Sequence, residues 1–146
     1  MTAEPAEPVV DSPRVWVARH IRTYVASGGT KGTRWYGAPT LLLTTRGRRT
    51  GQLRRTALIC GRDGAAYVVV ASNGGAAKHP NWYENLVADP EVTVQVGPDV
   101  FPARARTATG EERTRLWRTM TGHWPAYDDY TRKTDREIPV VVLDPV

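Results

Sequence analysis

Hydrophobic and polar positions change rhythm several times along the chain. Ser12-Pro13 reads as a helix start, with Ser as N-cap and Pro at the first helical position. Val17, Ile21, Tyr24 and Val25 then recur at helical spacing, and Gly28-Gly29 ends the pattern. The spacing predicts a helix over 12–27. Before it, residues 1–11 are acidic and proline-rich and read as a disordered tail. A loop bearing Trp35 and Tyr36 leads to Pro39.

From Thr40 the period shortens. Thr40–Thr45 and Leu53–Cys60 read as strands joined by an arginine- and glycine-rich turn, and Asp63-Gly64 signals a hairpin. Ala66–Ser72 has the continuous apolar composition of a strand buried on both faces. Glu91–Val96 alternates cleanly, Phe101–Thr107 is a further strand, and Ile138–Leu143 closes the chain. Residues 81–88 predict a short helix ended by Asp89-Pro90. Thr109-Gly-Glu-Glu112 matches a capping box and predicts a helix over 110–121. About six mostly antiparallel strands and three helices result. They suggest a mainly β domain with α, a small barrel with helices packed outside, in one domain over 12–146.

Composition refines this picture. The 146 residues fit one core, and the net charge of +5 comes almost wholly from arginine: Lys31, Lys78 and Lys133 are the only lysines. Arginine favours paired contacts to phosphate and carboxylate, so an anionic partner is expected: nucleic acid, membrane surface or a small anionic cofactor. The single Cys60 sits among apolar residues, forms no intrachain disulfide and reads as a core residue. The N-terminus lacks the pattern of a secretory signal and no apolar run approaches a membrane span, so a cytoplasmic location is expected.

Three stretches carry candidate chemistry. In TTRGRRTGQLRRT, residues 44–56, five arginines surround Gly47 and Gly51. Glycines let successive backbone N–H groups face one point, and guanidinium groups from both strands would hold an anion. A solvated hairpin tip is the competing reading. In ASNGGAAKHPNWYENL, residues 71–86, Gly74 and Gly75 permit close backbone approach, and the helix after Pro80 opens with unpaired N–H groups. Trp82 and Tyr83 read as sheet-packing residues, while Asn85 brings a donor and an acceptor to a mostly apolar helix. In HWPAYDDYTRKTDR, residues 123–136, Trp124, Tyr127 and Tyr130 recur every three residues and would share one helical face. Their polar flanks place the stretch at the surface, either as a core stripe or as an aromatic lid over a planar ligand. His20, His79 and His123 are too scattered for a metal site, and no GxSxG, GxGxxG or Walker loop is present.

LLLTTRGRRTGQLRRTAL, YVVVASNGGAAKHPNWYENLVADPEVTVQVG and WPAYDDYTRKTDREIPVVVL, in this order and spacing, resemble the deazaflavin-dependent nitroreductase family of actinobacterial split-barrel proteins. The resemblance covers roughly residues 38–146; the N-terminal part matches only as a helix leading to the barrel. It implies a split β-barrel that binds coenzyme F420, a deazaflavin with a phosphate and a polyglutamate tail. By position, Arg48, Arg49, Thr50 and Gly51 would cradle the anionic part, with Arg54 reaching in. Ala71, Ser72, Asn73, Gly74 and Gly75 would line the ring edge, and Asn85 would support that loop or the cofactor. Trp124, Tyr127 and Tyr130 would cover the cofactor and shape the substrate pocket. The chain departs from the family at Asn73, where a basic residue is common, at Leu53, where proline is common, and at Trp124, where a well-known member has tyrosine.

The resemblance implies an F420H2-dependent reductase that passes hydride to a quinone, nitroaromatic or other planar electron-poor acceptor. Ser72, Tyr127 and Tyr130 are the candidate catalytic residues, and FMN is the alternative cofactor. A non-catalytic F420- or flavin-binding carrier is a second reading. A basic nucleic-acid module ranks last, because no aromatics interleave with the arginine turn; no nucleic-acid partner is expected. Peripheral membrane contact through the first helix and a homodimer are further expectations.

Overall fold

The computed structural model describes residues 7–146. It is a mixed α/β fold in which nine strands form one sheet, flanked by four helices. The strands are β1 (Val9–Asp11), β2 (Arg34–Trp35), β3 (Ala38–Arg46), β4 (Leu53–Ile59), β5 (Gly61–Asp63), β6 (Ala66–Val70), β7 (Glu91–Val96), β8 (Asp99–Thr107) and β9 (Val140–Pro145). The helices are α1 (Val15–Ala26), α2 (Asn81–Ala88), α3 (Gly110–His123) and α4 (Ala126–Tyr130). The sheet runs β1-β4-β3-β7-β8-β9-β6-β5, with β2 added to β3. Every pairing is antiparallel except β1 on β4. The path is open: β4 and β6 approach each other, but no ladder joins them among the described residues.

The six expected strands are β3, β4, β6, β7, β8 and β9, and side chains from all six converge on one interior cluster. Leu41, Leu43, Val69, Val94, Val141 and Leu143 are its buried centre. Because alternate residues of a strand face opposite ways, the intervening positions face outward. There the helices cover them. Leu42 meets Val17, Ile21 and Tyr24 of α1, while Val68, Val70, Val140 and Val142 meet Leu116 and Met120 of α3 and Tyr127 of α4. Burial on both faces explains the uninterrupted apolar runs LLL and VVV.

The expected count of six strands is corrected to nine. β1, β2 and β5 span two or three residues each, too few to show a period. Residues 1–6 of the expected tail lie outside the described residues, but Val9–Asp11 are ordered as β1 against Leu53–Arg55. That pairing holds the chain extended as far as Ser12, whose N–H donates to the Arg55 carbonyl at 2.9 Å. The first helix therefore starts at Val15 rather than at residue 12. The capping box does not form either. Thr109 makes no side-chain cap bond, and the Glu112 carboxylate takes the Arg106 guanidinium at 2.6 and 3.1 Å.

Tyr24 ties α1 to the sheet. It is fully buried, its hydroxyl donates to the Thr40 carbonyl at 3.3 Å, and it accepts the Gly97 N–H at 2.6 Å. Just after α1, Gly28 and Gly29 both hold positive φ, +65° and +82°. A Cβ on Gly28 would meet nothing, whereas one on Gly29 would overlap the Gly97 carbonyl. Gly28→Ala should therefore cost about 1–2 kcal/mol, the left-handed penalty alone. Gly29→Ala should cost more, because it also forces the α1 end off the β7–β8 turn. Urea unfolding of the two variants separates these outcomes, and equal costs would contradict the close approach.

Candidate active site

A cavity of about 630 Å³ opens between β4, the segment after β6, α1 and the stretch linking α3 to α4. Among the described residues, its lining holds the cationic side chains of Arg14, Arg54, Arg55 and Lys78 and no carboxylate. A second, shallower groove lies outside it, lined by Arg48, Arg49, Tyr83, Glu84 and Val87. His79 borders both.

The arginine turn divides its charges between structure and surface. Arg46 pairs with Glu7 and donates to the Gly51 carbonyl at 2.8 Å. Arg55 pairs with Asp11 at 2.7 Å across the β1–β4 pairing. Arg48 pairs with Glu84 at 2.6 Å and donates to Asn85 Oδ1 from both its side chain (2.9 Å) and its backbone N–H (3.2 Å). Asn85 is 5 % exposed and donates to Thr45 Oγ1 at 3.3 Å. Its amide thus pins the turn to α2 and β3; the loop it supports is the arginine turn, not the diglycine segment. Among the described residues Arg49 and Arg54 have no ion-pair partner. Arg54 faces the cavity and Arg49 the outer groove. Thr50 and Gly51 shape the turn, with Gly51 at φ +74°, and line neither concavity.

The diglycine segment meets the same cavity. Asn73, Gly74 and Gly75 hold φ of +47°, +63° and +82°, three consecutive left-handed residues. Asparagine and glycine tolerate this where other residues do not, which gives a reason for Asn73 at a position the family often fills with a basic residue. Asn73 Nδ2 also donates to the Lys78 carbonyl at 3.1 Å. Ser72, Asn73 and Gly74 line the cavity; Ala71 is fully buried behind them, and Gly75 packs against Lys133 and the Tyr130 carbonyl.

The aromatic stretch is broken, not one helical face. Trp124 precedes Pro125, and a residue before proline is pushed out of the α region. Trp124 accordingly adopts φ −142°, ψ 87°, ending α3 before α4 begins. Its Nε1–H donates to the Tyr130 hydroxyl at 3.4 Å. Tyr127 is 5 % exposed, which corrects the surface placement expected for it. Its hydroxyl has no hydrogen-bond partner among the described residues, and burial pushes its pKa well above the usual tyrosine value. All three aromatics line the cavity.

Residues beyond the predicted site set also surround the cavity. Trp16 and Trp35 line the cavity and connect through the exposed Tyr36 to the predicted Trp124, with ring centroids 5.3, 5.0 and 6.2 Å apart in turn. His20 joins them through Trp35 and bonds the Gly32 carbonyl at 2.7 Å. Arg136 lies behind the diglycine segment and donates to its carbonyls. It closes the 123–136 stretch, two residues before the buried Ile138, and nothing in that position marks its role.

The F420H(2)-dependent quinone reductase family model matches residues 16–145. An F420H(2)-dependent quinone reductase of Mycobacterium tuberculosis is 40 % identical over 141 residues, covering 88 % of this chain and 95 % of that protein. The solved F420-H2 dependent reductase FDR-A is 42 % identical with a TM-score of 0.68, over 73 % of this chain and 94 % of that one. A relative solved as a domain-swapped dimer is 39 % identical with a TM-score of 0.71, over 91 % of this chain and all of that one. The match and these identities place the chain in the F420H(2)-dependent quinone reductase family: it is an oxidoreductase whose cofactor is coenzyme F420.

Proposed function

We propose that this chain reduces a quinone or a similar planar, electron-poor acceptor in the main cavity; nitroaromatics are adventitious substrates. One observation carries the reading: Arg54 and the Ser72–Gly74 segment, from distant parts of the sequence, face one carboxylate-free cavity. Its volume is in the range of cofactor and ligand sites, and its cationic lining suits a phosphate- and carboxylate-bearing molecule. Tyr127 lines the cavity and its hydroxyl has no partner among the described residues, which leaves it available to a bound ligand.

Bound F420H2 supplies the hydride. The chain's own residues hold the reactants and manage the proton. Arg54 binds the anionic portion, with Arg48, Arg49, Thr50 and Gly51 in the turn that Asn85 fixes. Ala71 to Gly75 keep the ring edge against backbone that carries no bulky side chain at Gly74 and Gly75. Trp124, with Trp16 and Trp35, walls the acceptor side of the cavity. A quinone that has taken a hydride needs one further proton to become the hydroquinone. Tyr127 is the donor in this reading, since it lines the cavity with a hydroxyl that is protonated at neutral pH and bonded to no other described residue. Tyr130, whose oxygen accepts the Trp124 N–H, orients the acceptor, and the Ser72 hydroxyl bonds its carbonyl or the ring.

The same reading takes the gap between β4 and β6 as the opening of a split barrel within one domain. It makes the chain a cytoplasmic homodimer, the latter on the strength of the domain-swapped relative. No helix among the described residues is long and apolar enough to cross a membrane.

Arg54→Ala should weaken F420 binding by about 1–3 kcal/mol, roughly 5- to 150-fold in Kd, in a fluorescence titration; unchanged affinity would remove the arginine from the site. Tyr127→Phe, which keeps the ring's packing, should lower kcat with menadione about 100-fold. Tyr130→Phe should have the smaller effect, and the reverse ranking would make Tyr130 the donor. In the wild type, no loss of rate assignable to Tyr127 should appear up to pH 9. Light scattering should give twice the 16.2 kDa of the chain; a monomeric mass would end the dimer reading.

A further inference from the structure

The Arg136 side chain makes four hydrogen bonds behind the cavity wall, and the proposed reaction leaves it unused. Its Nε–H donates to the Ala76 carbonyl at 2.8 Å, and its Nη2–H to the Ser72 carbonyl at 2.6 Å. Nη1 reaches both the Ala71 carbonyl at 3.2 Å and His79 Nδ1 at 3.0 Å. An arginine at neutral pH is a donor only. His79 Nδ1 must then be the acceptor, so the imidazole is neutral and carries its proton on Nε2. That second nitrogen has no partner among the described residues, and the ring is the one side chain that borders both the cavity and the outer arginine groove.

We propose that Arg136 is a positioning residue: one guanidinium fixes the left-handed diglycine segment and locks His79 as the Nε2–H tautomer, so that a neutral imidazole donates to the bound cofactor where the cavity meets the groove. This rests on the functional reading above. A neutral donor binds an anion's oxygen without adding a further charge beside Arg136, and the fixed tautomer spares the cost of ordering it on binding. Protonation of Nδ1 would instead set a proton against the guanidinium and break the bond.

The groups facing the ring are Arg136 from the C-terminal segment and Tyr83 and Glu84 from α2, with Lys78 adjacent and Arg48 and Arg49 across the groove. Burial and the Arg136 charge lower the His79 pKa below its usual 6.5, with Glu84 opposing them. Its neutral form is therefore preferred in the fold, and the stability it contributes is lost as pH falls from 6.5 through the lowered value.

The test uses the full chain. Long-range 1H–15N spectra of histidine-labelled protein at pH 7.5 should show His79 as a single Nε2–H tautomer without any cofactor, and a tautomer mixture in Arg136→Gln. In F420 titrations from pH 5 to 8, wild-type affinity should fall by up to about tenfold per pH unit below the His79 pKa. The step should move to higher pH in Arg136→Gln and disappear in His79→Gln. An Nδ1–H tautomer in the wild type, or a step unmoved by Arg136→Gln, would overturn the proposal. If Arg136→Gln fails to fold, His79→Gln decides, since it leaves the three carbonyl bonds intact: a retained step overturns the idea and its loss upholds it. Should the wild type bind no F420, the functional reading falls, while the tautomer spectrum still judges the role of Arg136.

Discussion

Three consecutive left-handed residues form a turn, closed here by the Gly75 N–H on the Ser72 carbonyl at 2.9 Å and the Ala76 N–H on the Asn73 carbonyl at 3.1 Å. A turn of this kind leaves neighbouring carbonyls outside any sheet ladder. Residues 73–75 do this at the wall of the cavity, immediately after β6 leaves the sheet. The carbonyls of Ala71, Ser72 and Ala76 on either side are taken by a single guanidinium from a residue 60 to 65 positions later in the chain. The turn's own bonds do not reach the Ala71 and Ala76 carbonyls, and without the guanidinium these would be left to water. The position of the Ser72 and Gly74 backbone, and with it the shape of the cavity, follows from this one charge.

The arginine turn shows the complementary principle. Of its five guanidinium groups, three are spent on fixing the fold: Arg46 on Glu7, Arg48 on Glu84 and Asn85, Arg55 on Asp11. Exposed pairs contribute little stability each, but these three bind the turn to β1 and α2, and Asn85 adds a buried amide to the same joint. The scaffolding arginines leave Arg54 aimed inward without a competing carboxylate among the described residues. A lysine-rich turn would lack this economy, because only the planar fork lets Arg48 serve Glu84 and Asn85 together.

The legibility of the fold tracks how local each determinant is. The six long strands were readable because burial on one or both faces imprints alternation or apolar runs over five or more residues. β1, β2 and β5 were not, because a pairing of two or three residues leaves no period to see. The capping box at Thr109 failed because Glu112 had a better partner in Arg106, fixed from β8, which no local motif reveals. The break at Trp124 was written in the sequence as a residue before proline, and the three-residue aromatic spacing obscured it.

The site divided along the same line. The arginine turn and the diglycine segment were visible as compositional oddities, and family resemblance supplied their joint meaning. What joins them in space was not visible: Asn85 bonds across 37 residues to Arg48, and Arg136 across 57 to His79. Such residues look ordinary in a sequence because their role is to satisfy backbone and ring atoms elsewhere, and those atoms have no signature until the chain is folded. It follows that the first layer of a site can be read from composition while the layer that holds it in place cannot. Here the second layer also sets the protonation of a group in the first, since a donor-only guanidinium leaves His79 a single neutral tautomer. A site of this construction owes its chemistry to both layers, and an arginine from the end of one motif determines how a residue of another presents its proton.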